Sequence, residues 1–104
     1  MLTKQTILDK LKELQPLFAK EDVNILGLFG SYSRDEADEN SDIDILIETS
    51  PIFIEKNIGW DAFVKLDTLR DILQKTFRKK IDLIDKQGLQ DHQNNYILNK
   101  VIYV

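Results

Sequence analysis

Leu28-Phe29-Gly30-Ser31 and, after ten residues, Asp42-Ile43-Asp44-Ile45-Leu46-Ile47 are the segments that decide how this chain folds. The first segment closes an apolar, β-rich run over 23–29, which predicts a buried strand ended by the glycine. The second predicts another strand over 42–48, in which isoleucines alternate with acids. Because side chains two residues apart share one face of a strand, Asp42 and Asp44 stand together while the isoleucines face a core.

Apolar residues at helical spacing predict helices on both sides of these strands. The first helix covers 3–20 with Thr3 as its N-cap, and Pro16 is expected to kink or end it near Gln15. The others are a brief helix over 31–37, a long one over 60–76 with Phe63 and Phe77 on its apolar side, and a polar one over 89–100.

The remaining segments complete a sheet. A third strand is predicted over 81–85, where Asp82 lies between Ile81 and Leu83, and 101–104 has the β propensity to pair with a sheet edge. The segment 52–57 receives no assignment. The order helix, strand, strand, helix, strand, helix predicts an α/β fold, with a small mixed β-sheet flanked by helices in a single domain over 1–104.

The composition limits the classes of function open to this chain. Its 104 residues carry a net charge of −4, which argues against a general nucleic-acid binder, so no direct nucleic-acid binding is expected. No apolar run approaches the roughly 20 residues that span a membrane, and the first residues lack a signal-peptide pattern. The absence of cysteine excludes disulfides and thiolate metal sites. We therefore expect a cytoplasmic protein without membrane contact.

Three carboxylates are candidates for a metal site. Asp42 and Asp44 would stand about 6–7 Å apart along one strand face, where their oxygens suit a pair of hard cations such as Mg²⁺. An isolated Asp-x-Asp usually marks a solvated face, but a carboxylate within an apolar strand is costly unless a cation compensates it. Asp82 interrupts the third strand in the same way. Asp85 is an alternative third ligand, although strand alternation places it on the face opposite to Asp82.

The Gly30-Ser31 turn is a candidate phosphate site. It follows a strand directly, where free backbone N–H groups and a glycine that permits close approach favour a phosphate, and Ser31 adds a hydroxyl donor. Taken alone, the same two residues are also typical of an ordinary strand-to-helix turn with Ser31 as the N-cap. Their spacing from the acids favours the phosphate site.

Three segments resemble the minimal nucleotidyltransferases of the DNA polymerase β-like superfamily: Leu28-Phe29-Gly30-Ser31-Tyr32-Ser33-Arg34, Ser41-Asp42-Ile43-Asp44-Ile45-Leu46-Ile47 and Lys80-Ile81-Asp82-Leu83-Ile84. The shared pattern is Gly-Ser, ten residues, Asp-x-Asp and a third carboxylate on a later strand. The similarity spans nearly the whole chain. It implies a polymerase β-like nucleotidyltransferase fold.

The resemblance also implies a function. Asp42, Asp44 and Asp82 would be the catalytic residues and would bind two Mg²⁺ ions carrying the phosphates of ATP, with Asp82 helping to deprotonate the acceptor hydroxyl. Gly30 and Ser31 would bind the triphosphate tail. Small proteins of this type resemble antitoxins that transfer AMP from ATP to a tyrosine of a HEPN ribonuclease toxin, so a HEPN-type partner in a hetero-oligomer is implied.

The turn after Gly30 departs from the family pattern Gly-Ser-x-Ala-Arg-Gly at two positions. Ser33 replaces the alanine, and Asp35 replaces the second glycine and brings negative charge towards the phosphate site. Arg34 matches the pattern. It would contact a phosphate or the partner, or else form a salt bridge with Asp38 or Glu39.

Two other functions remain open at the level of the sequence. The chain could transfer a nucleotidyl group to a small molecule such as an aminoglycoside, but it is short for a protein that carries its own acceptor-binding domain. It could also silence its partner by contact alone and keep the acids as a relic. The intact set of three acids favours an enzyme over a pure binding module.

Overall fold

Helices and strands alternate in the computed structural model, which describes residues 2–89, 97–98 and 100–104. In chain order the elements are α1 (Lys4–Ala19), β1 (Val23–Phe29), a 3₁₀ turn (Ser31–Arg34), β2 (Ile43–Thr49), α2 (Pro51–Lys56), α3 (Trp60–Phe77), β3 (Ile81–Asp85), a second 3₁₀ turn (Lys86–Gly88) and β4 (Ile102–Tyr103). The helix predicted over 89–100 lies for the most part outside the described residues. In the described ranges, no helix has the length and apolar character needed to cross a membrane.

One mixed sheet of four strands, in the order β3-β2-β1-β4, organises the fold. Strand β2 is parallel to β3 and antiparallel to β1, and β4 pairs with the other edge of β1. Gly27 allows β4 to approach, because a Cβ at this position would lie 2.3 Å from the carbonyl oxygen of Ile102. The predicted small mixed sheet and the pairing of the last residues with its edge are both confirmed.

The buried core lies on the sheet face that the isoleucines of β2 share. Ile43, Ile45 and Ile47 are each no more than 1% exposed, and they belong to one apolar cluster with residues of α1 and α3. The alternate positions Asp44 and Glu48 are only partly buried. Strand alternation therefore separates the isoleucines from the acids as predicted.

Helix α1 continues through Pro16 and ends at Ala19. The prediction that it ends near Gln15 was therefore wrong. Proline lacks an N–H and forfeits one helical hydrogen bond, but Pro16 lies in the last turn, where its carbonyl oxygen still accepts from Lys20 N–H at 3.2 Å. Phe18 is fully buried two residues later. Burial of this ring offsets the missing bond. Thr3 is the N-cap, as predicted.

Helix α2 occupies most of the segment that received no assignment. Ser50 accepts a hydrogen bond from Phe53 N–H at 3.3 Å, and Pro51 stands in the first turn. Serine at the N-cap followed by proline is a helix-start signal, which could have predicted this element. With six residues, α2 is too short to show an apolar period.

Helix α3 matches its predicted range, and Arg78 ends it by adopting a left-handed conformation with φ of 55°. Phe77 is buried, whereas Phe63 shares the sheet-facing side with Leu66, beside Ile47 and Leu83, but remains 67% exposed. The buried residues of α3 all lie in its second half. An 18-residue helix is about 27 Å long, whereas the five residues of β3 span about 16 Å. The first half of α3 therefore has no strand of equal length beneath it.

Candidate active site

Three chain segments meet at one end of the sheet. Because β2 and β3 are parallel and in register, Asp44 stands directly beside Asp82. Strand β1 runs antiparallel to β2 and places Phe29 opposite Asp44, so Gly30 follows beside this acid. The structure thus brings Gly30, Asp44 and Asp82 together from three separate parts of the sequence. Asp42 directly precedes β2 at the same end.

The pKa of Asp44 reflects the proximity of these acids. The pKa of its carboxyl rises from 3.8 to about 6. The largest cause is partial burial, followed by repulsion from the Asp82 and Asp42 carboxylates and by a side-chain hydrogen bond with Asp82. The Arg34 guanidinium acts in the opposite direction. Asp82 and Asp42 are therefore both close enough to Asp44 for their charges to act on it.

The carboxylates fit a hard cation, although they do not form a closed cage. Within residues 2–89, 97–98 and 100–104, no group of three or more His, Cys, Asp or Glu is already arranged to hold a metal ion. Asp44 and Asp82 are paired, and the remaining acid, Asp42, lies 4.0 Å from Lys80 Nζ. An oxygen-only donor set is the one that Mg²⁺ prefers, and a cation would relieve the repulsion that raises the pKa of Asp44.

Gly30 is required at its position for two separate reasons. Its φ of 74° and ψ of −159° lie in a region that essentially only glycine adopts. A Cβ at Gly30 would also lie 2.0 Å from Oδ2 of Asp44. The absence of a side chain at Gly30 therefore leaves room at the acid for an approaching group.

The structure accounts for the two departures from the family pattern. Ser33 is buried, and its hydroxyl donates to the Gly30 carbonyl oxygen at 2.6 Å, so it braces the turn. Asp35 adopts a left-handed conformation with φ of 58°, a conformation that glycine takes freely and aspartate tolerates. Its carboxylate lies 3.1 Å from Lys4 Nζ of α1. This pairing offsets the negative charge of Asp35.

Ser31 and Arg34 flank the buried part of the turn. Ser31 is partly exposed beside Gly30 and begins the 3₁₀ turn, but Gly30 and not Ser31 occupies the N-cap position. The Nε atom of Arg34 donates to a carboxylate oxygen of Glu36 at 3.1 Å. Arg34 therefore does form a salt bridge, but with Glu36 and not with Asp38 or Glu39. The Arg34 side chain is about half exposed, and its charge lowers the pKa of Asp44.

Asp85 has a structural position. Its carboxylate accepts hydrogen bonds from Thr49 Oγ1 at 2.7 Å and from Gln87 N–H at 3.0 Å. It thereby ties the end of β2 to the turn after β3, at the opposite end of the strands from Asp44. Of the two candidates for a third carboxylate, Asp82 is the one beside Asp44.

Lys79 was not recognised from the sequence as a part of the site. Its Nζ donates to the carbonyl oxygens of Glu39 and Ser41 at 2.8 and 3.2 Å. It also lies 5.8 Å from the ring centroid of Tyr32, within range of a cation–π contact. One lysine before β3 therefore contacts the turn before Asp42 and the turn after Gly30. No sequence signal distinguished Lys79 from the solvent-exposed cations that are common at the end of a helix.

The mixed sheet, with Asp44 and Asp82 side by side at one end, is the arrangement that the resemblance to nucleotidyltransferases implies. A family model described as the nucleotidyltransferase domain matches residues 4–104. The chain therefore belongs to the nucleotidyltransferase domain family and is a nucleotidyltransferase, as its resemblance implied.

Relatives of similar sequence agree with this assignment. The chain is 33% identical to the protein adenylyltransferase MntA of Thermococcus cleftensis, over 89% of this chain and 83% of the relative. It is 37% identical to a candidate protein adenylyltransferase of Methanocaldococcus jannaschii, over 94% and 91% of the two chains.

Two solved structures share the fold. A candidate minimal nucleotidyltransferase superposes with a TM-score of 0.75 at 20% identity, covering 99% of this chain and 97% of the other. A toxin–antitoxin structure with AMP-PNP superposes with a TM-score of 0.59 at 22% identity, covering 98% of this chain and 72% of the other. The predicted nucleotidyltransferase fold, a small mixed sheet flanked by helices, is confirmed.

Proposed function

We propose that this chain is an antitoxin that transfers AMP from ATP to a tyrosine hydroxyl of a HEPN-type toxin, with which it forms a hetero-oligomer in the cytoplasm. The observation that carries the proposal is the pairing of Asp44 with Asp82 beside Gly30. Two further findings support it. The relatives above are named protein adenylyltransferases, and one solved structure of the same fold is a toxin–antitoxin pair with an ATP analogue.

Each residue of the site has a role in this proposal. Gly30 and Ser31 bind the triphosphate tail, which reaches Asp44 because no side chain intervenes at Gly30. The half-exposed guanidinium of Arg34 adds positive charge beside the phosphates. Asp42, Asp44 and Asp82 hold two Mg²⁺ ions, which when bound stabilise charge on the entering and leaving oxygens.

The acceptor would approach the site at Asp82, which is exposed on the edge strand β3. The Asp82 carboxylate helps to accept the hydroxyl proton as the acceptor oxygen bonds to the α-phosphorus. The bond from that phosphorus to the pyrophosphate oxygen breaks, and pyrophosphate leaves. An acid exposed on an edge strand favours an acceptor that arrives on a partner protein.

The direct test is transfer of label from ATP. The protein is incubated with ATP labelled in the α-phosphate, Mg²⁺ and the product of the adjacent gene. We expect label on a tyrosine of that product, lost with Asp42→Ala and retained with Asp9→Ala, which removes an exposed carboxylate from α1.

Other outcomes would favour the competing functions. Neutralisation of the toxin without label, unaffected by Asp42→Ala, would indicate inhibition by contact alone. Label on an aminoglycoside, and none on the protein, would indicate transfer to a small molecule.

We expect Lys79 to position the site without touching the nucleotide. Lys79→Ala removes two hydrogen bonds that hold the turn before Asp42, and we expect it to reduce AMP transfer about tenfold, equivalent to about 1.4 kcal/mol. Lys79→Arg should restore most of the rate, because it can still donate to carbonyl oxygens. Steady-state kinetics on folded protein checks this. A loss of stability in urea with unchanged kinetics would show that Lys79 is only structural.

A further inference from the structure

Four large apolar residues are exposed where α3 begins. We call Ile58, Trp60, Phe63 and Val64 the α3 patch, and they are 77%, 76%, 67% and 53% exposed. The rings of Trp60 and Phe63 contact each other at a centroid distance of 5.5 Å. With Asp67, three of these residues line a surface cavity of about 360 Å³. Apolar residues grouped in this way usually mark an interaction surface.

The core does not account for these side chains. The residues that α3 buries are Leu69, Leu73 and Phe77, which belong to its second half. With 76% of its surface exposed, Trp60 does not belong to the core. Tryptophan is also the residue type most enriched at the energetic centres of protein interfaces.

The charges around the α3 patch are predominantly negative. The nearby cations are already paired, Lys56 with Asp22 at 3.0 Å and Lys65 with Glu21 at 2.9 Å. Within the described residues, Asp61 makes no salt bridge, and neither does the exposed Glu55 of α2. A complementary partner would present an apolar surface bordered by lysine or arginine.

The location of the α3 patch leaves the candidate active site open. Strand β2 leads from the acids to α2, and α3 begins shortly after α2 ends. Seven residues of extended chain cover roughly 20 Å. A protein docked at the α3 patch would therefore not cover Asp44, and an acceptor on another part of that protein could still reach the site.

We propose that the α3 patch is the docking surface for the toxin partner, which binds it through an apolar surface bordered by basic residues. This inference rests on the proposed function for the identity of the partner. A second copy of this chain is the less favourable occupant, because it would bring Asp61 and Glu55 of one copy close to the same acids of the other.

The test separates docking from catalysis. Trp60→Ser with Phe63→Ser is compared with Leu17→Ser, which changes an exposed apolar residue of α1 outside the patch. Binding to the adjacent-gene product is measured by calorimetry, and binding of AMP-PNP with Mg²⁺ serves as a measure of an intact nucleotide site. We expect the double variant to weaken partner binding at least 100-fold and to bind AMP-PNP unchanged. Asp61→Asn should weaken partner binding severalfold and reduce its salt dependence.

Each contrary result has a distinct meaning. Equal partner binding by wild type and the Trp60/Phe63 variant, or no binding of the adjacent-gene product by wild type, overturns the docking proposal. A wild-type homodimer in sedimentation that the double variant abolishes would assign the patch to a second copy instead. Normal docking without AMP transfer would contradict the proposed function and leave the docking surface intact.

Discussion

Asp44→Asn is expected to stabilise the metal-free protein while lowering AMP transfer by about 10²–10³-fold, the loss typical of removing one charge-stabilising group from an active site. The stabilisation arises because the fold partly buries the Asp44 carboxylate and holds it beside Asp82 and Asp42, which together raise its pKa to about 6. Asparagine has a similar shape and no charge, so the repulsion disappears. A group that costs stability and is required for activity is characteristic of a functional site.

The expected gain follows from linkage. A rise in the pKa of Asp44 from 3.8 to about 6 corresponds to at most about 3 kcal/mol of penalty for the charged form. The side chain is only partly buried, so we reduce this to about 1 kcal/mol for screening by solvent. For a domain of this size the change in Tm is about 4–8 °C.

The sign of the pH dependence is fixed by the direction of the shift. The folded state binds the Asp44 proton more tightly than the unfolded chain, so the free energy of unfolding falls as the pH rises between 3.8 and about 6. The advantage of Asp44→Asn should therefore be complete at about pH 7, shrink as the pH falls through 6, and be absent by about pH 4.

Thermal unfolding in EDTA at several pH values measures the effect, with Asp71→Asn on the exposed face of α3 as the control. Added Mg²⁺ should raise the Tm of wild type more than that of Asp44→Asn, because binding to the folded state alone stabilises it. A wild type more stable than Asp44→Asn at pH 7 in EDTA would show that the acids do not repel one another in the fold.

Gly30→Ala is expected to lower the free energy of unfolding by about 3 kcal/mol and to abolish most of the transfer activity. The unfavourable φ and ψ account for about 1–3 kcal/mol, and displacement of neighbouring atoms adds about 1–3 kcal/mol. The displaced atom is Oδ2 of Asp44, 2.0 Å from the new Cβ. Because this acid belongs to the candidate site, the same substitution removes both stability and correct geometry.

Two other glycines separate these contributions. Gly59 has a φ of 61°, and a Cβ added there would meet no atom within 4 Å, so Gly59→Ala should show the backbone cost alone. Gly88 is open and lacks a positive φ, and Gly88→Ala should be neutral. Urea unfolding of the three variants measures the difference. In an Asp44→Ala background, which removes the carboxylate and leaves only the Cβ at 3.2 Å, Gly30→Ala should cost little more than Gly59→Ala. A full cost there would rule out the contact with the Asp44 carboxylate.

Local sequence signals were sufficient for most of the elements. Strands β1 and β3 lie where the apolar runs predicted them, and the alternation of Ile43, Asp44 and Ile45 separated core from site. Local sequence signals failed where tertiary packing determines the end of a helix or the burial of a side chain. Pro16 remains helical, with Phe18 buried in the core half a turn later. Phe63 lies beside Ile47 and Leu83 but is 67% exposed, because α3 buries only residues of its second half in the core.

The candidate site shows the same division. The sequence by itself determined the candidate residues of the site, since Gly-Ser and Asp-x-Asp are local patterns whose meaning depends on residue type and spacing. The tertiary structure agrees with the predicted choice of Asp82 over Asp85, because the parallel register of β2 and β3 places Asp82 beside Asp44 and directs Asp85 to Thr49. It alone decided the position of Lys79 and the exposure of the α3 patch. Those depend on contacts between residues far apart in the chain, which no local pattern contains.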